Sequence, residues 1–347
     1  MMPRFIVDLL WRIDLILLIS LLLLLWNLFI FTLFGIDKSR SIKNKWRVSE
    51  SFLIACSLLF GGIGAWMGRK IFKHKTKKIK FKIAIPLALI IISIPLIHIV
   101  HGLTLDRIIV YREIDFVDLS WTEELNGYRI GFVTDFHLIT EESMQEVVDE
   151  LNQRDLDLLL LGGDFSTFDD HYRTILGIIS QVDTADGIWG VEGNHDIAWL
   201  LFAAKEDYGI GILDNDGLYL HPQFFLSGVQ DLWNRQPDIA YATADANENS
   251  FILLVSHNPD LTMSQPTDHV DLILSGHTHG GQIALFGWPF YLNANFSSVT
   301  DYGTRFNGWA ESADGTPVYS SVGIGDYYIW PRIFARPEVI ILTMYHE

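Results

Sequence analysis

Twenty-two consecutive residues, Leu15 to Ile36, carry no charge and are dense in Leu, Ile and Phe. A hydrocarbon core of ~30 Å is crossed by about 20 such residues in a helix, so this stretch predicts a membrane span. The competing reading is a secretory signal with Arg4 and Arg12 as its basic flank. The length of the run and the lack of a small-residue cleavage site after it weigh against that. Two more uncharged stretches follow, Ser51 to Gly68 (18 residues) and Ile83 to Leu105 (23 residues). The middle one is short and holds Gly61, Gly62, Gly64 and Gly68. Three conformations stay open for it: a span, a helix packed closely on its neighbours through those glycines, or a re-entrant hairpin. The chain therefore begins with a helical membrane module of two or three spans over residues 1–106. Residues 107–124 then form a linker and first strand region, and residues 125–347 a second domain.

Charge divides the chain in the same place. Residues 1–104 hold 15 of the 25 Lys and Arg but 4 of the 42 Asp and Glu, a net of +11, while residues 105–347 hold 10 and 38, a net of −28. Such a chain is neither a single soluble domain nor a disordered one. The acidic body repels a phosphate polymer, so no nucleic-acid polymer is expected as a partner. The single cysteine, Cys56, excludes a disulfide framework and a thiolate cluster. The loops at 37–50 and 69–82 carry five and eight Lys or Arg, and such loops stay cytoplasmic. The third stretch then carries the body to the extracytoplasmic face, whether 51–68 spans or folds back. His98 and His101 near its outer end read as a proton relay or, more plainly, as interfacial side chains.

The body has an α/β texture. RIGFVT (129–134), DLLLLG (157–162), GIWGVEG (187–193), FILLVSH (251–257) and DLILSGH (271–277) are apolar runs that end in Gly, Asp or His. Residues 141–153 place Met144, Val147, Val148 and Leu151 at helical spacing. Continuous apolar runs suit strands buried on both faces, and ligands of such sheets gather at the carboxyl ends of strands. There lie Asp135 and His137 (TDFH), Asp164 (GGDF), Asn194, His195 and Asp196 (GNHD), His257 (SHNPD), and His277 and His279 (GHTHGG).

A lone histidine at a strand end is usually structural, but this ordered series calls for a common cause. Carboxylate and amide oxygens together with imidazole nitrogens suit Mn, Fe, Zn, Co or Mg. In D-x-H and H-x-H, alternate residues of an extended chain point the same way. A carboxylate between two clusters can bridge two ions ~3.5–4 Å apart, as in two-metal hydrolysis. Gly162, Gly163, Gly193, Gly276, Gly280 and Gly281 allow sharp turns and close approach beside these residues.

Over residues 125–345, on those motif blocks, the GHTHGGQ ending and the later SSVGIGDYYIWPRIFARPEVIILTM, the body resembles the calcineurin-like metallophosphoesterase superfamily, most closely its bacterial membrane- or envelope-associated phosphodiesterases. The resemblance implies a four-layer α-β-β-α sandwich holding two divalent metal ions. It implies Asp135, His137 and His279 on one ion, Asn194, His257 and His277 on the other, and Asp164 between them. His195 would stand at the leaving-group oxygen, oriented by Asp196. Residues 28–95, with GIDKSRSIKNKWRVSE and a glycine-rich turn before FKHKTKK, resemble a small bacterial membrane-domain family of unknown function.

The implied activity is a membrane-anchored, divalent-metal phosphoesterase with a phosphate-ester substrate, lipid- or envelope-linked esters being among the candidates. Hydrolysis of a lipid-linked pyrophosphate such as a nucleotide-diacyl-sugar is the enzymatic alternative, and would require a cytoplasmic body. A non-catalytic membrane scaffold or sensor is the other class, and the intact motif set argues against it. Aromatic residues are dense over 286–336 (Trp288, Phe290, Tyr291, Trp309, Tyr327 and Trp330 among them), as a substrate lip or as packing beneath loops. Arg305, Arg332 and Arg336 offer a phosphate fork or ordinary pairing with carboxylates. His171, His221 and His269 have no motif around them.

Overall fold

The structure, a computed structural model, describes residues 4–104, 108–165, 169–282, 284–285, 288–289, 307–326 and 332–347. It divides into two compact units, Met1–Leu103 and Thr104–Glu347.

The first unit contains α1 (Arg4–Ile42), α2 (Glu50–Leu58), α3 (Gly62–Ile71) and α4 (Ile79–Leu103). Among the described residues one stretch, Ser20–Ile42, is long and apolar enough to cross a membrane. The middle apolar stretch does not form one helix. It breaks at residues 59–61 into α2 and α3, of nine and ten residues, each about 15 Å long and so half a bilayer core. The break is held by α1. The buried Asn27 side chain donates from Nδ2 to the carbonyls of Leu23 and Phe60, both at 2.9 Å, and accepts the Gly64 N–H at 2.9 Å. Trp26 Nε1 donates to the Leu59 carbonyl. The backbone groups freed by the break are thus satisfied by one amide and one indole. The glycines permit the contact, since a Cβ on Gly64 would stand 2.0 Å from the Asn27 carbonyl oxygen.

At the end of α1, Asp37 is fully buried. It accepts from Arg47 Nη2 at 3.1 Å, from the Val48 N–H at 3.0 Å and from His74 Nε2 at 2.7 Å, with Lys75 Nζ at 3.1 Å. Glu50 pairs with Lys75 and Lys78. Both basic segments therefore meet at one carboxylate, and residues 51–68 return to the end of α1 from which they started. Ten residues separate Asn27 from Asp37, about 15 Å along a helix, which matches the length of the hairpin. The third apolar stretch lies within α4, where the side chains of His98 and His101 fall outside the described residues.

The second unit begins with β1 (Val110–Asp118), β2 (Tyr128–Val133), α5 (Glu141–Leu151), β3 (Leu158–Leu161), α6 (Asp169–Ile179), β4 (Ile188–Gly190), α7 (Ala198–Tyr208) and β5 (Gly211–Ile212). It continues with β6 (Asp216–His221), β7 (Phe224–Gly228), α8 (Ile239–Ala242), β8 (Phe251–Val255), β9 (Leu272–Ser275), β10 (Ala284–Leu285), β11 (Trp288–Pro289), β12 (Gly308–Glu311), β13 (Pro317–Ser320) and β14 (Glu338–His346). Two six-stranded mixed sheets result, ordered β1-β14-β2-β3-β4-β5 and β12-β13-β9-β8-β7-β6. β1 is thus an edge strand of the first sheet, paired in parallel with β14, and is part of this unit.

The apolar runs are double-sided because each strand is covered on both faces. Ile130, Phe132, Leu158 and Leu160 meet Leu253, Val255, Leu272 and Leu274 in the core between the sheets. The alternate residues Val133, Leu159 and Leu161 pack beneath α5 and α6 against Met144, Val147, Val148, Ile175 and Leu176. Ile252, Leu254 and Ile273 do the same on the outer face of the second sheet with Ile239 and Leu261. The layers run helix, sheet, sheet, helix, with little helix on the second face. The parallel strands β2, β3, β4, β8 and β9 send their carboxyl ends to one edge, and the polar motifs follow directly.

Replacing Asn27 by Leu removes three hydrogen bonds and leaves buried backbone groups without partners, at about 1–3 kcal/mol for each such group. A lower thermal midpoint of the detergent-solubilised chain is expected, with the body's own transition unmoved; scanning calorimetry checks both.

Candidate metal centre

Strand ends and tight loops bring the predicted residues together. Asp135 and His137 follow β2, Asp164 follows β3, Asn194 and His195 follow β4, His257 follows β8, and His277 and His279 follow β9. The loops are knitted by backbone: the Asp135 N–H donates to the Gly163 carbonyl at 2.9 Å, the Phe136 N–H to the Asp164 carbonyl at 2.8 Å, and the Gly276 N–H to the His257 carbonyl at 3.0 Å. Asp135, His137, Asp164, His277 and His279 all have positive φ, from 33° to 71°. That region is disfavoured for residues with a Cβ, and such strain gathers at functional sites. Gly193 answers a close approach, because a Cβ there would lie 2.2 Å from Asp164 Oδ1.

Asp164 is the centre. Its Oδ2 lies 3.2 Å from His137 Nε2 and 3.3 Å from His257 Nε2, while Oδ1 accepts the His195 N–H at 2.8 Å. On one side Asp135, His137 and His279 bring ligand atoms within 4.8 Å of one another, as Asp135, Asp164 and His257 also do. On the other, Asn194 Oδ1 stands 3.2 Å from His257 Nε2 and 2.8 Å from His277 Nδ1. The two sets implied by resemblance are therefore two clusters with Asp164 between them. Asp135 reaches further toward the second than the resemblance implies.

Burial governs the electrostatics. Asp135, His137 and His257 are inaccessible and Asp164 nearly so. Burial raises the Asp135 pKa above the usual carboxylate range. It acts on Asp164 too, but His257 and His137 outweigh it and hold that carboxyl well below its ordinary value. His279 is driven well below the ordinary imidazole value by burial, with His137 and Arg332 adding to it. Two buried carboxylates and several imidazoles of mixed tendency are a poor protein interior and a good donor set for two divalent cations. The residues present fit such a pair.

Supporting residues separate into those the sequence marked and those it did not. Asp196 binds backbone: Oδ2 accepts the N–H groups of Asp164 and Gly193, both at 2.8 Å, and Oδ1 that of Phe165 at 2.9 Å. It fixes the loops that carry Asp164 and His195. Burial, reinforced by the Asp164 charge, raises its pKa well above the carboxylate range. Arg332 was a candidate phosphate fork, but it is 1% exposed. Its guanidinium donates to the Gly325 and Ala335 carbonyls, with Nη2 3.2 Å from His279 Nδ1. The fork therefore holds the protein behind His279.

The segment after β7 was not among the runs singled out in the sequence. Asp231 Oδ2 accepts the N–H groups of Trp233 and Asn234, and Asn234 Nδ2 donates to the Asn194 carbonyl. Its signal is FFLSGVQD, an apolar run ending in Gly and Asp like the others. Of the predicted aromatic lip, Trp309 packs on Phe116 and Tyr319. The side chains of Trp288, Phe290, Tyr291, Tyr327 and Trp330, with Arg305, fall outside the described residues.

Residues 128–281 match the model of the calcineurin-like phosphoesterase family. The body belongs to that family. Members are metal-dependent phosphoester hydrolases, and the matched residues include Asp135, His137, Asp164, Asn194, His257, His277 and His279. An uncharacterized metallophosphoesterase of Helicobacter pylori is 29% identical over 229 residues, 62% of this chain and 59% of that protein. The chain thus spans less than two thirds of that relative. The phosphodiesterase YaeI of Escherichia coli is 29% identical over 235 residues, 62% of this chain and 82% of that protein. Residues 27–81 match a family described as of unknown function, DUF1294. The uncharacterized protein YsdA of Bacillus subtilis, 43% identical over 76 residues, is covered over 85% of its length by 22% of this chain. The N-terminal unit belongs with it.

Replacing Asp164 by Asn keeps the shape and removes the charge between the clusters. The phosphoesterase body is expected to stay folded by circular dichroism while bound metal, counted by elemental analysis after dialysis, falls from about two ions per chain to one or none.

Proposed function

We propose that the chain is a membrane-anchored dimetal phosphoesterase whose body lies outside the cytoplasmic membrane, hydrolysing a phosphodiester as the name of its relative YaeI suggests. The observation that carries the reading is the Asp164 carboxylate, with one oxygen within 3.3 Å of a histidine from each cluster. Asp135, His137 and His279 would hold one ion, Asn194, His257 and His277 the other, and Asp164 would bridge them. Such a pair supplies positive charge for the phosphoryl oxygens and activates a water at neutral pH.

The remaining work falls to the chain itself. The His195 backbone N–H is fixed on Asp164 Oδ1 and its ring stands 5.3 Å from that of His137. The imidazole is therefore carried beside the site where the ester would sit, within reach of the leaving-group oxygen. There it donates a proton or a hydrogen bond as negative charge develops. Asp196 acts by positioning, through the backbone bonds that fix both Asp164 and the His195 loop.

The location rests on Asp37. Because it binds residues of both basic segments, those segments share one side, and the charge bias makes that side cytoplasmic. On this reading residues 50–71 return to that side and α4 would carry the chain to the other face.

His195→Ala is expected to lower turnover of bis(p-nitrophenyl) phosphate by the manganese-loaded full chain about 10²–10⁴-fold without loss of bound metal. Asp164→Ala is expected to abolish turnover. Full activity in both variants would end the proposal. A C-terminal alkaline phosphatase fusion is expected to be active and a C-terminal fluorescent protein dark; the reverse pattern moves the body to the cytoplasm and favours a lipid-linked pyrophosphate as substrate.

A further inference from the structure

Trp233 is an aromatic residue left open to solvent beside the metal clusters. It is 45% exposed, and its ring centroid lies 4.4 Å from that of His277, at an interplanar angle of 89°. An exposed indole costs solvation, yet this one is deliberately held. Asp231, 1% exposed, accepts its backbone N–H at 2.9 Å and that of Asn234 at 2.8 Å. Asn234 is tied to the Asn194 carbonyl. Arg235 Nε lies 3.3 Å from Glu192 Oε1, which also accepts the Asp231 N–H at 3.4 Å. The segment 231–235 is thus fastened at several points to the loop that supplies Asn194 and His195, and Trp233 takes its position relative to His277 from that fastening.

We propose that Trp233 is the specificity platform of the site, stacking on a planar hydrogen-bonding ring, that of a nucleoside, carried by the ester group that remains on phosphorus. This deepens the phosphodiesterase reading and rests on it. A phosphorus held between the clusters places its substituent one or two bonds away, where the indole neighbouring His277 can reach it. The surroundings select the ring chemistry. Asn234 and the half-exposed Arg235 follow the indole in the chain; with Asn234 Nδ2 on Asn194 and Arg235 Nε on Glu192, the amide oxygen and the guanidinium Nη groups remain to meet a heteroaromatic ring with its own donors and acceptors. An acyl chain would desolvate them without return. The body's charge of −28 favours a single nucleotide unit over a polymer of phosphates.

The test compares two diesters with one leaving group, thymidine 5′-(p-nitrophenyl phosphate) and methyl p-nitrophenyl phosphate, on the metal-loaded full chain. Wild type is expected to show a KM for the nucleoside ester at least about fivefold lower than for the methyl ester, a stacking-sized difference. Trp233→Ala is expected to bring the two KM values together, and Trp233→Phe to keep most of the difference. Equal KM values in wild type, or a difference that survives in Trp233→Ala, overturn the proposal. Calorimetric binding of thymidine 5′-monophosphate against inorganic phosphate needs no turnover. Tighter nucleotide binding, lost in Trp233→Ala and kept in Trp233→Phe, supports the platform; equal affinities in wild type reject it. If the nucleotide binds in this way and neither diester is hydrolysed, the phosphodiesterase reading fails and the platform stands. Metal content of the same samples distinguishes an indole that only shields His277: its loss in Trp233→Ala together with loss of the preference counts against stacking.

Discussion

Burying carboxylate charge is the constraint on which the rest of this molecule depends. Asp135 and Asp164 lie out of water at the edge where two sheets meet, among imidazoles that do not cancel their charge cleanly. Such a cluster costs folding free energy unless cations complete it. The surrounding loops are accordingly over-determined. Asp196 spends both oxygens on backbone N–H groups, Arg332 spends its fork on carbonyls, and five site residues are kept at positive φ. The apolar layers on either side of each sheet supply the stability against which this strain is set.

The N-terminal unit solves a related problem in a different solvent. A break between two short helices frees backbone groups that must find partners. Asn27 answers the Phe60 carbonyl in the break and the Gly64 N–H of α3 with a single amide. At the opposite end of the hairpin Asp37 is neutralised by cations from both loops. One neutral and one charged side chain on α1, ten residues apart, thus hold the turn of the hairpin at one end and its two ends at the other.

Much of this was legible in the sequence, unevenly. β2, β3, β8 and β9 were visible because strands covered on both faces need unbroken apolar runs, and each ended in a metal-type residue. β7 has the same texture, but Asp231 stands three residues beyond Gly228 rather than directly after the strand. The hairpin at 50–71 stood among three options, since a glycine-rich run of 18 residues suits each of them until Asn27, more than 30 residues away, is seen to hold the turn. The role of Arg332 was hidden for a similar reason. A guanidinium offers the same donors to a phosphate and to a carbonyl, and only its burial decides between them. The clustering of Asp135, His137, Asp164, Asn194, His257, His277 and His279 was foreseen by the order of their motifs. The contact of Asp135 with both groups depends on backbone angles that no motif encodes.

The strand order of the first sheet bears on how the body is made. β14, the last strand, lies between β1 and β2, the first two, and pairs with both. Until residues 338–346 arrive, β1 has no neighbour in its sheet, and the edge of β2 that β14 will cover stays open. A chain synthesised amino end first must therefore wait in a partly zipped state with strand edges unprotected. Closing the sheet is a long-range, late event, and the acidic charge of the body gives neighbouring nascent copies a reason to keep apart while they wait.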